Sequence, residues 1–286
     1  MERHYEEFDP KSFIGDIPDG FTAMVMAPRR QGKTVLITDF IAKMQKKRDW
    51  KAVYLFSGTT AVQHESYQFV PKDNKYDHLD LGKLSDIFAS QMEKREMEEA
   101  GDKPHRILII ADDIINDKKV RDNGTFGKLF TQGRHYRIDT FVISQTLKGF
   151  HPMVRSNSDL VITWRLLKFD ERKSMAEDYL SIENAPTKSK SLKMGYDIMD
   201  AIAQTKYQAL VICVYRSSYA TTTSDYVTWY LAKDKVKVAP IGDKGFRSRR
   251  TMQKEMCITD KDCKNKKLNV RVKFDKYKNE RLRIGK

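Results

Sequence analysis

The chain has 286 residues, 40% hydrophobic and 32% charged, with 53 Lys+Arg against 39 Asp+Glu for a formal charge of +14 and a mean hydropathy of −0.63. That length suits one large domain, or one domain with an appendage, and is ample for a buried core, while the charge argues for an extensive polar surface. The longest apolar runs, residues 107–111 and 209–215, fall far short of the ~20 residues a membrane-spanning helix needs and read as buried strands.

Taken in chain order, residues 1–10 are polar and acidic without the apolar stretch of a secretory leader, so we expect the protein to stay where it is made. Residues 21–27 read as the first strand, and 33–48 as a helix with Val35, Leu36, Phe40, Ile41 and Met44 on its inner face. A second strand follows at 52–57. After a polar insertion, 81–100 reads as a helix whose charged stretch 93–99 should be exposed. Residues 106–112 form a third strand, continuous in apolar residues as strands covered on both faces tend to be. A short helix at 126–132, strands at 140–145 and 160–164, and helices at 170–181 and 192–204 come next. The last of these has Leu192, Gly195, Ile198, Met199 and Ile202 as its expected inner stripe. Residues 209–216 and 226–231 read as a hairpin at the sheet edge, joined by the polar turn 217–225. No solenoid or propeller repeat interrupts this alternation. Alternating strands and helices demand crossover connections and a mostly parallel sheet covered by helices, so the fold class is α/β.

The positive charge is unevenly placed. Residues 233–286 hold 19 Lys+Arg and 7 Asp+Glu, a net of +12, whereas 1–232 hold 34 and 32, a net of +2. The expected division is therefore a nearly neutral core, 1–232, and a basic segment, 233–286. Such a segment meets nucleic acid or another polyanion, or serves as a solubilising tail; Phe246, Phe274 and Tyr277 favour the first. The three cysteines, Cys213, Cys257 and Cys263, suggest a reducing compartment, and without neighbouring histidines they read as plain thiols rather than a zinc site.

Between the first strand and helix lies Ala27-Pro28-Arg29-Arg30-Gln31-Gly32-Lys33-Thr34. A loop that converges backbone N–H groups on a phosphate needs a small residue where it leaves the strand and a glycine before the helix. Gly32 meets the second need, Lys33 supplies a cation for the β- and γ-phosphates, and Thr34 a hydroxyl for Mg²⁺. Ala27 stands where the usual pattern has its first glycine, which is acceptable if the backbone there keeps φ negative. The competing reading is a basic turn that merely caps a helix.

The third strand ends in Asp112-Asp113. Asp112 is placed to hold magnesium, and Asp113 to orient or deprotonate an attacking water. Adjacent carboxylates repel, which is tolerable beside a divalent cation; alone, the pair could be a turn at a strand end. Gln145 closes the fourth strand and so should emerge on the same sheet edge, where a neutral amide can sense the γ-phosphate. Arg134 and Arg137 precede that strand. An arginine there can reach a neighbouring subunit's ATP, or simply end a surface helix with favourable cations, and the residues alone leave both open.

Together these motifs, with Gly133-Arg134-His135 running into residues 141–145 and with Pro152-Met153-Val154-Arg155-Ser156-Asn157, resemble the FtsK/HerA superfamily of P-loop ATPases, in particular the DNA-packaging ATPases of large nucleocytoplasmic DNA viruses. The similarity covers residues 13–232. It implies a RecA/ASCE-type core with an additional strand, working as a homo-oligomeric ring that uses ATP and Mg²⁺ to thread double-stranded DNA into a preformed capsid. It further implies a capsid or portal-vertex partner, no membrane, and a place in the host cytoplasm at the assembly site or in the virion. Carried over, Lys33 and Thr34 bind phosphate and Mg²⁺, Asp112 is the metal carboxylate, and Asp113 stands where many such enzymes have glutamate. Gln145 matches the sensor and Arg134 the arginine acting in trans, with Arg155 the second candidate for that role. A helicase or conjugation-type DNA pump and a non-hydrolysing nucleotide-gated DNA-binding adaptor are the competing functions, and a nucleoside kinase a distant one, since no lid is visible.

Overall fold

The structure, a computed structural model, describes residues 4–58, 67–113, 123–180, 187–202, 205–233 and 236–242. Eight strands form one sheet: β1 Thr22–Met26, β2 Ala52–Ser57, β3 Lys75–Tyr76, β4 Ile107–Asp112, β5 Ile138–Ser144, β6 Leu160–Thr163, β7 Gln208–Cys213 and β8 Val227–Leu231. Their order is β3-β2-β4-β5-β1-β6-β7-β8. The first six run parallel, and β7 and β8 close the edge antiparallel. Every residue of β1, β4, β5 and β6 is buried, which is why these strands are mostly apolar instead of alternating. The helices α1 Pro10–Asp16, α2 Lys33–Arg48, α3 Leu81–Glu96, α4 Gly124–Thr131, α5 Pro152–Ser156, α6 Phe169–Tyr179, α7 Lys188–Ile202 and α8 Val214–Ser217 flank it. Within these layers α1 packs on α2, α3 on α4 and α6 on α7.

The α/β reading holds, and β5 lies between β1 and β4 as the additional strand of an ASCE core requires. The hairpin at the edge is also present, although its first strand stops at Cys213 and residues 214–216 turn into α8. The helix expected over 81–100 ends at Glu96. Glu98, beyond its end, pairs with Arg137. Short elements escaped the sequence reading: α1, capped by Asp9, whose carboxylate accepts from the Lys11 and Ser12 amides at 3.0 and 3.1 Å; the two-residue β3; and α5, which starts on Pro152. In α7 the inner stripe is Ser191, Gly195, Ile198, Met199 and Ile202, with Leu192 only half-buried. Gly195 is required there, because a Cβ would sit 2.9 Å from that of Ala176 in α6.

Two buried charges brace the sheet. Asp139, second residue of β5 and fully buried, accepts from Arg48 Nε and Nη2 at 2.7 Å each, from Trp50 Nε1 at 2.7 Å and from the Phe21 amide at 2.9 Å. Asp39 of α2 accepts from the Tyr230 hydroxyl at 2.6 Å and the Lys233 amide at 3.0 Å, which ties β8 to the helix. No helix among the described residues is long and apolar enough to cross a membrane.

Candidate nucleotide-binding site

The parallel strands end together. Met26 pairs with Ser144, Asp112 with Ile143, and Ser57 with Asp112. The loop after β1, the two carboxylates at the end of β4 and Gln145 after β5 therefore meet on one sheet edge, where ligands of such folds bind. Ala27 is buried and its amide donates to Ser144 O at 3.2 Å. Left-handed backbone occurs at Arg30 (φ 64) and Gly32 (φ 88), not at Ala27, so alanine fits the first position of the loop. Gly32 accepts the first helical hydrogen bond, from the Leu36 amide at 2.9 Å, and no side chain caps α2. Its first-turn amides remain for an anion. Arg29 and Arg30 are exposed, while Pro28, Gln31, Lys33 and Thr34 are half-buried.

Lys33 folds back over this loop, its Nζ donating to Ala27 O at 2.8 Å. Burial pushes its pKa down, and Asp113 and Asp112 pull the other way. Asp112 is buried, and burial followed by repulsion from Asp113 pushes its pKa up to about 6, against the Tyr67 hydrogen bond and Lys33. Among the described residues a carboxylate so placed lacks a full counter-charge, which is the environment a divalent cation completes. Asp113 sits in a left-handed turn (φ 54); its amide donates to Ile143 O at 3.1 Å and its carboxylate accepts from Gln145 Nε2 at 2.8 Å. The two residues expected to handle water and the γ-phosphate are thus hydrogen-bonded to each other.

Tyr67 was not expected. Its buried hydroxyl donates to Asp112 Oδ2 at 3.1 Å and also interacts with the Thr34 side chain, linking the two residues that the sequence analysis expects at Mg²⁺. Burial and the neighbouring Asp112 raise its pKa well above the ordinary phenol value. It follows a polar insertion with no periodic pattern, so no sequence signal pointed to it.

Arg134 and Arg155 are not brought to the loop. Arg134 is exposed in the 3₁₀ turn Gly133–Tyr136 at the head of β5, on the edge where the parallel strands begin. Gly20 packs against this turn: it has φ 141, and a Cβ there would stand 3.0 Å from Ile138 O and 3.1 Å from Arg134 Cα. Arg155 in α5 donates to Asp178 Oδ2 at 2.9 Å. Cys213 is a buried thiol whose pKa burial raises to about 11. Cys257, Cys263 and nearly all of the basic segment lie outside the described residues. Among the described residues, no cluster of three His, Cys, Asp or Glu could hold a metal by itself, so any cation here would need Thr34, phosphate or water oxygens as well.

The model of the family described as Poxvirus A32 protein matches residues 11–257. A relative in Invertebrate iridescent virus 3, "Uncharacterized protein 088R", is 26% identical over 218 residues, covering 76% of this chain and 77% of its own. Among solved structures, the DNA-packaging ATPase B204 of Sulfolobus Turreted Icosahedral Virus superposes with a TM-score of 0.50 at 14% identity, over 75% of this chain and 98% of that one. The pCW3 conjugation coupling protein TcpA, solved with ATPγS, gives 0.52 at 14% identity, over 83% of this chain and 66% of that one. These two likenesses are of fold. With the family match spanning most of the sequence, the chain belongs to the Poxvirus A32 protein family, within the P-loop ATPases that the loop and carboxylate motifs pointed to.

Proposed function

We propose that this protein is the ATP-hydrolysing motor that moves double-stranded DNA into a preformed capsid, acting as a homo-oligomeric ring at the viral assembly site in the host cytoplasm or in the virion. The observation that carries the reading is the single sheet edge on which Lys33 closes the loop Ala27–Thr34 opposite Asp112 and Asp113. Thr34 and Asp112 are the residues that would hold Mg²⁺; when bound, it neutralises charge on the phosphate oxygens. Lys33 leaves Ala27 O for the β- and γ-phosphates. Asp113 accepts the proton of the attacking water, and Gln145 holds that carboxylate in place and registers the γ-phosphate through the same amide. Arg134 of one subunit completes the site of the next, with Arg155 the second candidate. The exposed position of Arg134 on the edge remote from its own loop supports this arrangement, because there it is free to reach another subunit.

The basic segment after residue 233 is assigned to DNA or to an acidic capsid or portal-vertex surface, separate from the core 1–232. Deleting residues 243–286 should weaken association with DNA or capsid and flatten its salt dependence, with basal hydrolysis retained. The decisive experiment measures ATP hydrolysis with and without duplex DNA beside the oligomer mass. Stimulated turnover by a ring is the expected result. Tight ATP binding and DNA retention with no turnover would overturn the motor in favour of a nucleotide-gated adaptor.

A further inference from the structure

The edge that carries the phosphate loop carries one more feature. Strand β7 is antiparallel to β6, pairing Leu210 with Thr163, which in β1 pairs with Met26. The residues just before β7 therefore stand beside the mouth of the loop. Tyr207 is there, its Cδ1 3.6 Å from where a Cβ on Gly32 would lie. Tyr207 is 46% exposed, and Val35, on the first turn of α2, is 40% exposed. Both are apolar surfaces left partly to solvent next to a loop whose residues 29–31, 33 and 34 are polar.

The backbone says that Tyr207 is held there at a cost. Its φ is 66, a conformation that a bulky residue rarely adopts. Its carbonyl accepts from the buried Trp164 indole N–H at 3.1 Å, which pins the strained peptide. Glycine would occupy this position without strain, yet the chain places an aromatic ring here, with Lys206 Nζ 4.9 Å from its centroid. Strain of this kind persists where the surroundings enforce it and is characteristic of ligand sites.

We propose that Tyr207 is the stacking platform for the base of the bound nucleotide, with Val35 flanking it. The proposal rests on the triphosphate occupying the loop Ala27–Thr34. A phosphate chain seated over Lys33 and the first-turn amides of α2 must carry its sugar and base out past Gly32 and Val35, and the exposed ring stands on that path. An aromatic face stacks on any base, so the ring adds affinity for nucleosides over bare polyphosphate without choosing sharply between purines. Lys206 adds a cation beside an electron-rich ring and an anionic ligand.

The test compares ATP with inorganic tripolyphosphate by titration calorimetry, using the full chain and the Tyr207→Gly and Tyr207→Phe variants. Tyr207→Gly removes the ring while suiting the positive φ, so the fold is preserved. The expected result is a loss of ATP affinity of about tenfold or more in Tyr207→Gly, unchanged tripolyphosphate affinity, and near-native ATP binding by Tyr207→Phe. Equal ATP affinity in Tyr207→Gly and the native chain would overturn the stacking role, as would an equal loss for ATP and tripolyphosphate, which would mean that the ring acts on the loop. If the native chain bound neither ligand, the nucleotide site itself would fall, and with it this inference.

Discussion

The two edges of the parallel sheet each bury a carboxylate, and they treat it in opposite ways. Where the strands begin, Asp139 is saturated: a bidentate guanidinium, an indole N–H and a backbone amide all donate to it. Where they end, Asp112 has, among the described residues, one phenol donor, a like-charged neighbour and a lysine turned to a carbonyl, and its pKa is pushed up to about 6. The first arrangement is complete and rigid, fit to hold a strand in register. The second is incomplete, and an incomplete buried charge is one that a ligand or cation can finish.

The largest effects should come from breaking the incomplete edge. Lys33→Ala removes the only lysine on the loop and should abolish nucleotide binding, and ATP hydrolysis with it. An unaffected rate would remove the loop from the mechanism. Nearly as large is the loss expected for Arg134→Ala, about 10³ in turnover if this arginine acts on the neighbour's ATP. Mixing Arg134→Ala with Asp113→Asn subunits should restore part of the activity, since some interfaces then carry both native groups. If no ratio restores any, the site is not shared in this way, and the edge where the strands begin is purely structural.

How much of this was legible in the sequence follows the same division. The incomplete edge was readable because its chemistry is local: Gly32, Lys33 and Thr34 are consecutive, and Asp112 and Asp113 end an apolar run. The complete edge was not, because Arg48 and Asp139 are 91 residues apart and only strand order brings them together. Tyr67 failed to show for the same reason, since its partner Asp112 is 45 residues away. Helical period alone puts Val35 in the core, but it stands on the first turn of α2, at the loop mouth, and is exposed. Helix termini and the short α1, β3 and α5 were missed or shifted because caps and one-turn elements depend on single residues rather than on period.

At the complete edge the expected effect is on stability. Arg48→Ala leaves Asp139 buried without its guanidinium and should cost about 3–5 kcal/mol in urea unfolding. A loss under 1 kcal/mol would mean that Asp139 is not the brace it appears from its four donors.

The smallest effect is the sharpest discriminator, because its sign is opposite. Asp112 has a folded pKa of about 6 against 3.8 for the free side chain, so the native state binds the extra proton between those values. Its contribution to stability therefore falls as pH rises from about 4 to 6 and stays low above that. Asp112→Asn keeps an acceptor for the Tyr67 hydroxyl and removes the charge. In nucleotide-free protein it should raise stability by about 1–3 kcal/mol at pH 8, with the gain vanishing toward pH 4, while hydrolysis is lost. A residue that weakens the fold by its presence and is needed for turnover is there for the ligand. If the substitution instead destabilises the protein at pH 8, Asp112 is already satisfied within the fold, and the contrast between the two edges disappears.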